Sequence, residues 1–213
     1  MSNAAGIVLA GGRSTRMRTP KAALEWGGST LLRRTTDTLA RAVRGPIAVV
    51  RAPGQPLPTL GRGVEVYDDP REGLGPLQGL AVGLAEVGER AETAFVSSVD
   101  LPFLHVAFVR RVLAAFAELT AVDDVDVVLP HAHGHLQPLA AGYRTSLAPV
   151  VDRLVAERQL RPAYLFAVCR VRRLDAAALL ADAALAAADP ELTSLLNVNT
   201  PEDYRAARAL HGR

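Results

Sequence analysis

The sequence predicts an α/β protein: a three-layer, doubly wound, mostly parallel sheet with helices on both faces. Three observations carry this. Short, nearly all-apolar runs such as Ile47 to Val50 have the character of strands buried on both faces. Amphipathic helical stretches alternate with these runs, the pattern of right-handed crossover units. Several runs stop at glycine or aspartate, where a sheet of this kind opens its ligand crevice beyond the carboxyl ends of its strands. About four or five such strands are expected, in one domain over residues 1–213.

Gly6 to Leu9 forms the first strand, and Leu9 to Leu24, reading LAGGRSTRMRTPKAAL, follows as its exit loop. Ser2-Asn3-Ala4 resembles an expression remnant and is given no structural role. Ser29 or Thr30 caps a helix with Leu31, Leu32, Leu39 and Val43 inward and Arg33, Arg34, Asp37 and Arg41 mostly outward. Gly45-Pro46 ends it, and Ile47 to Val50 is the second strand. Ala52 to Gly63, rich in proline and glycine, is a surface loop before a third strand, Val64 to Tyr67. Gly73-Leu74-Gly75-Pro76 opens the next helix, with proline in the first turn, where its missing N–H costs nothing. Ala94 to Val99 is a buried strand ending at Asp100-Leu101-Pro102, and a helix runs from about His105 to Leu119. Val125 to Leu129 and Gln137 to Tyr143 form a hairpin or crossing pair, a break in the parallel repeat. A helix from about Leu147 to Arg158, an edge or half-exposed strand over Val168 to Leu174 and an alanine-rich helix over Asp175 to Ala188 complete the series. Thr200-Pro201-Glu202-Asp203 opens a terminal helix reaching about His211.

Apolar residues make up 49% and charged residues 22%, values of an ordered globular chain. No apolar stretch has the length of a membrane span and no signal-peptide pattern opens the sequence, so no membrane partner and a cytoplasmic address are expected. Cys169 is the single cysteine, which excludes an internal disulfide and a cysteine metal cage. The formal charge of +2 argues against a nucleic-acid partner and fits a small anionic ligand.

The exit loop of the first strand is shaped for that anion. Gly11 and Gly12 permit positive φ and close approach of a ligand, and their amides, with those of Ser14 and Thr15, form a cradle for phosphates. Arg13, Arg16, Arg18 and Lys21 add charge. Lys21 is the only lysine among 24 basic residues. In so arginine-biased a sequence it marks a position where a compact, mobile point charge serves and a planar fork does not. Gly73 and Gly75 form a second close-approach loop at another strand end. Asp100, at a third, is suited to Mg²⁺, which takes few protein carboxylates and completes its shell with water and phosphate. A phosphate cradle, a lysine and a metal-binding aspartate are the parts of nucleotidyl transfer; as a helix entry, Asp100 is instead a cap. The first loop lacks the Gly-Lys-Ser/Thr of nucleoside triphosphatases and the third glycine of dinucleotide-binding folds. His131, His133 and His135 lack a further metal ligand and suit a polar substrate lip. Ser97, Ser98 and Cys169 have no activating partner and are not nucleophiles.

Five motifs together resemble the MobA family of molybdenum cofactor guanylyltransferases: LAGGRSTRM with the following lysine, GPLQGL at Gly75 to Leu80, VDLPFL at Val99 to Leu104, QPLAAGY at Gln137 to Tyr143, and NVNTPEDY at Asn197 to Tyr204. The resemblance implies the Rossmann-like nucleotide-diphospho-sugar transferase fold. It also implies transfer of GMP from GTP to the phosphate of molybdopterin carrying molybdenum, with Mg²⁺ and release of pyrophosphate. On this resemblance Leu9, Ala10 and Gly11 line guanine and ribose, and Gly12, Ser14 and Arg16 approach the phosphates. Lys21 neutralises the triphosphate, Asp69 (or Asp68) contacts the nucleoside, and Gly75 belongs to the nucleotide-binding set. Asp100 holds Mg²⁺, and Asn199 stands where some relatives have a further aspartate ligand. Lys21, Arg16 and Asp100 would be catalytic. Arg18 and Pro20 replace the family's usual glycine and aspartate, Arg51 replaces an asparagine, and Pro20-Lys21 is similar to related cytidylyltransferases. Alternatives are therefore cytidylyl transfer to the same cofactor, guanylyl transfer to another small phosphorylated acceptor, or a non-catalytic nucleotide-binding regulator.

Overall fold

The structure is a computed structural model that describes residues 3–11, 17, 19–71, 73–118 and 124–211. In chain order its strands are β1 (Ala4–Leu9), β2 (Glu25–Trp26), β3 (Ser29–Thr30), β4 (Ile47–Arg51), β5 (Val64–Asp68), β6 (Thr93–Ser98), β7 (Val127–Ala132), β8 (His135–Leu136), β9 (Ala140–Arg144) and β10 (Val171–Leu174). Its helices are α1 (Leu31–Ala42), α2 (Pro76–Val87), α3 (Val106–Ala114), α4 (Ala148–Ala156), α5 (Pro162–Val168), α6 (Ala176–Leu180), α7 (Ala183–Ala188) and α8 (Pro201–His211). The main sheet runs β10-β7-β9-β6-β1-β4-β5, with β8 paired to β7. β6, β1, β4 and β5 pair in parallel, as do β7 and β10; β9 runs antiparallel between β6 and β7, and the short β8 runs antiparallel against β7. The expected mostly parallel α/β sheet is present, and β9 is the break anticipated after Pro130.

Alternation along the strands builds the three layers. Val8, Val49 and Phe95 join one core with residues of α1, α3, α6 and α7, while Ile7, Val50 and Val96 join another with residues of α2, α4 and α5. Phe95 meets Phe108 edge to face at 6.2 Å; truncating either to alanine would cost about 3–5 kcal/mol. A third, smaller core gathers Met17, Trp26 and Leu31 with Val198 and Ala207. Trp26 is its centre, edge-on to Phe103 at 5.4 Å and tilted against Tyr204 at 6.3 Å. This cluster brings the 197–207 segment, distant in sequence, back beside the segment around residue 21.

Several boundaries differ from expectation. Ala4, far from idle, is the buried first residue of β1, and the Asn3 side chain donates to the Arg90 carbonyl. β5 extends one residue, so Asp68 closes the strand opposite Arg51 and does not open the turn. The stretch read as one strand from Val168 is two elements: α5, entered through Pro162, and then β10. The alanine-rich stretch breaks into α6 and α7 because Asp182 caps a new helix by accepting the Leu185 amide at 2.8 Å. The regular part of α3 stops at Ala114, and Leu119 lies outside the described residues. The β2–β3 hairpin is too short for periodicity to mark: Gly27 and Gly28 both take positive φ, 55° and 77°, as its two-residue turn requires.

Candidate active site

After β1 the sheet grows through β4 to β5 on one side, then returns to β6 on the other, so the chain reverses its winding between β1 and β6. Beyond the carboxyl ends of these strands lies a cleft of about 700 Å³, where an open α/β sheet places its ligand. One wall is main chain. The Ala10 amide donates to the Val50 carbonyl at 2.8 Å, continuing the β1–β4 ladder past Leu9. Gly11 then passes so close to the end of β4 that a Cβ there would lie 3.2 Å from the Ala52 nitrogen. Close approach, not positive φ, is what this glycine supplies. Gln55 braces the wall: its Nε2 donates to the Ala10 carbonyl at 3.0 Å and its Oε1 accepts the Ala52 amide at 3.1 Å. The Asp69 amide donates to the Arg51 carbonyl at 2.7 Å, which fixes Asp69 on the cleft wall. Gly75 caps α2 at φ 75° and ψ −171°, a conformation that a side chain would strain, and the first turn of α2 faces the cleft at Pro76.

The opposite wall is made of side chains. Lys21, in the single turn after Pro20, donates from Nζ to Asp100 Oδ2 at 2.8 Å and to Asn199 Oδ1 at 2.9 Å. Lys21 and Asp100 are mostly buried, with side chains 21% and 17% exposed, so water screens their attraction only in part. Ser98 Oγ donates to Asp100 Oδ1, occupying the other carboxylate oxygen. The Val198 amide donates to the Asp100 carbonyl at 2.9 Å and stitches the two loops together. Asp203 holds Asn199 in place, its Oδ2 accepting the amides of Asn199 at 2.9 Å and Thr200 at 2.8 Å. Thr200 Oγ1 in turn accepts the Asp203 amide at 3.1 Å, a reciprocal helix cap. The Asn199 amide, foremost among these donors, holds the Asp203 carboxyl below its ordinary pKa.

Of the residues singled out from sequence, Leu9, Ala10, Gly11, Lys21, Asp69, Gly75 and Asp100 share this one cleft. Asp68 is not among its wall residues; it pairs with Arg51 at 2.7 Å, so of the two adjacent aspartates only Asp69 faces the cleft. Gly12, Ser14 and Arg16, with Arg13, Thr15 and Arg18, lie outside the described residues. Gln55, Ser98 and Asp203 escaped as site residues. Gln55 sits in a loop with no periodicity to mark it, and Asp203 reads in sequence as an ordinary helix-cap acid. His131, His133 and His135 form no metal cluster and line no part of the cleft: His133 turns the β7–β8 hairpin at φ 52°, and its Nε2 lies 3.2 Å from the Leu192 carbonyl. Burial pushes the Cys169 thiol up to about 11, with the charge of Asp126 adding to it, which fits an inert cysteine. Among the described residues no helix is long and apolar enough to cross a membrane.

The family model for the MobA-like NTP transferase domain matches residues 6–174. A Mycobacterium avium protein described as a probable molybdenum cofactor guanylyltransferase is 38% identical over 207 residues, covering 95% of this chain and 93% of its own. Among solved structures, the molybdopterin-guanine dinucleotide biosynthesis protein A of Archaeoglobus fulgidus superposes with a TM-score of 0.76 at 19% identity, over 98% of each chain. A Mycobacterium tuberculosis protein solved in complex with manganese gives a TM-score of 0.67 at 20% identity, over 98% of this chain and 99% of the other.

Proposed function

This chain belongs to the MobA-like NTP transferase family, and we propose that it transfers GMP from GTP to the phosphate of molybdopterin carrying molybdenum, with release of pyrophosphate. It is a nucleotidyltransferase; the choice of guanine and of acceptor is our reading. The observation that carries it is the meeting of Asp100 and Asn199 within 3 Å of the Lys21 Nζ, beside the cleft wall of Leu9 to Gly11 and Asp69.

The main-chain wall at Leu9, Ala10 and Gly11 takes the base and ribose, with Asp69 oriented toward the nucleoside. Lys21 is the group that moves. In the structure its ammonium neutralises Asp100; when a triphosphate enters, the flexible stem lets the charge swing to the phosphate oxygens. Arg16 and the amides of Gly12 and Ser14 are assigned to the same phosphates. The donors left behind, a carboxylate oxygen of Asp100 and the amide oxygen of Asn199, already converge on a cation and are the hard ligands that Mg²⁺ prefers, so these two residues would hold it. When bound, the ion supplies Lewis-acid polarisation of the α-phosphate and neutralises the departing pyrophosphate. An acceptor phosphate oxygen forms the new bond to the α-phosphorus as the bond to the β-phosphate oxygen breaks, and both products leave as anions. Lys21 stabilises the charge on the leaving side.

Pyrophosphate release, followed with GTP or CTP and with or without molybdenum-loaded molybdopterin, tests this reading. Release should require GTP, the acceptor and a divalent cation together. Preference for CTP would replace the guanylyl assignment by cytidylyl transfer, and nucleotide binding without any release would make the protein a binder.

A further inference from the structure

A second cavity, of about 540 Å³, lies on the outer side of α1. It is closed by Trp26 and Gly27 of the β2–β3 hairpin and by His211 at the end of α8, and it shares no wall residue with the cleft. Its charges are unbalanced. Arg33, Arg34 and Arg41 line it against one carboxylate, Asp37. That carboxylate is already taken: Arg33 Nε donates to both its oxygens, at 2.9 and 2.8 Å. Glu25, the nearby acid of the hairpin, pairs with Arg208 at 3.2 Å.

Arg34 and Arg41 therefore have no ion-pair partner among the described residues. Arg34 spends only its Nε, on the Pro102 carbonyl, and Arg41 bonds within its own helix, to the Asp37 carbonyl at 3.3 Å and Thr38 Oγ1 at 3.5 Å. Burial, and then the charge of Arg41, lower the Arg34 pKa: a half-buried guanidinium feels an exposed one beside it. Beside them Trp26 is buried, with an indole N–H that has no acceptor among the described residues. Its ring lies 5.0 Å from that of His211 at a 33° tilt, giving the cavity an aromatic side. Like charges held together with unused donors cost free energy that one oxyanion would relieve, and guanidiniums match phosphate in geometry.

We propose that this cavity binds a phosphate-bearing small molecule, gripped by Arg34 and Arg41 and walled by Trp26 and His211. The site also touches the chemistry, since the carbonyl that Arg34 holds belongs to the turn two residues past Asp100. The proposal does not rest on the choice of nucleotide or acceptor.

Trp26 is the only tryptophan in the sequence, so its fluorescence reports on this cavity. Inorganic phosphate and ribose 5-phosphate are titrated at constant ionic strength, with binding followed by calorimetry and location by fluorescence. A saturable fluorescence change is expected; tighter binding of the sugar phosphate would identify an ester, and equal binding free phosphate. Arg41→Gln, which breaks only contacts within α1, and Arg34→Gln should each weaken binding about tenfold or more, while Lys21→Met should change it less than about twofold. Calorimetric silence, an equal response to chloride, or a signal lost in Lys21→Met and kept in Arg41→Gln would overturn the proposal, the last by placing the anion in the cleft.

Discussion

The two walls of the cleft are built by opposite means. Around Leu9 to Gly11 the surface is main chain, shaped by the β1–β4 ladder, by a glycine that grazes the next strand and by one glutamine amide that closes the loop. Across from it, Lys21, Ser98, Asp100 and Asn199 come from three separate stretches of sequence and are held by side-chain bonds. The first wall stands ready before any ligand arrives. The second is satisfied by itself: its cation and its carboxylate neutralise each other, and under the proposed function a nucleotide would have to break that pair to be bound productively. On the proposed function, shape and hence nucleotide affinity would reside in the first wall, and the charge rearrangement of the reaction in the second.

The largest effects should come from the second wall. Asp100→Ala and Lys21→Ala should each lower kcat by about 10³-fold, yet they should part company in a binding experiment. Without nucleotide, Lys21→Ala should bind Mn²⁺ more tightly than the parent, because Asp100 and Asn199 lose the ammonium that occupies them. Asp100→Ala should bind it more weakly. Calorimetric titration of the nucleotide-free proteins with Mn²⁺ decides this. If removing Lys21 leaves the affinity unchanged, the ammonium is not holding the cation's place and the contrast between a ready wall and a self-neutralised one fails.

The same division explains what could be read from sequence. The first wall, with Lys21, is local: an apolar run, two glycines and a lysine lie within about 15 residues, and the chemistry of each type shows without knowing the fold. Asp100 was legible because it ends a buried run. Asn199 was legible only through the family resemblance, and Ser98 and Asp203 were obscured, since what joins the three is the small aromatic core around Trp26 and the bond from the Val198 amide to the Asp100 carbonyl, both products of tertiary packing. The sheet itself followed from alternation and run length. Its errors fell at places where one residue decides: Pro162 opening a helix, Asp182 starting another, and Gly27-Gly28 turning a hairpin too short for periodicity to register.

A smaller effect, of the opposite kinetic kind, should come from the first wall. In Gly11→Ala the added Cβ falls 3.2 Å from the Ala52 nitrogen, which belongs to backbone and yields only if the end of β4 shifts. KM for the nucleotide should rise about tenfold with kcat nearly unchanged, the signature of lost ground-state binding. Steady-state kinetics at saturating acceptor would show it, and a fall in kcat with unchanged KM would move part of the chemistry to this wall.

The smallest effect tests whether the second wall depends on its supports. Asp203 touches neither Lys21 nor Asp100 by a hydrogen bond; it accepts the amides of Asn199 and Thr200 and so aims the Asn199 side chain. Asp203→Ala deletes a helix cap, which should lower stability by about 1 kcal/mol, and frees Asn199 to turn away. Were its role only capping, kcat below the melting transition would be unaffected and the parent's divalent-ion dependence would persist. As a positioning residue it should lower the rate severalfold at sub-saturating divalent ion and raise the divalent-ion concentration needed for half-maximal rate. Asp203→Asn, which keeps one acceptor oxygen, should recover part of both. The two readouts separate because a cap acts on the folded fraction and an aimed ligand on the cation: excess divalent ion can compensate for the second and not for the first.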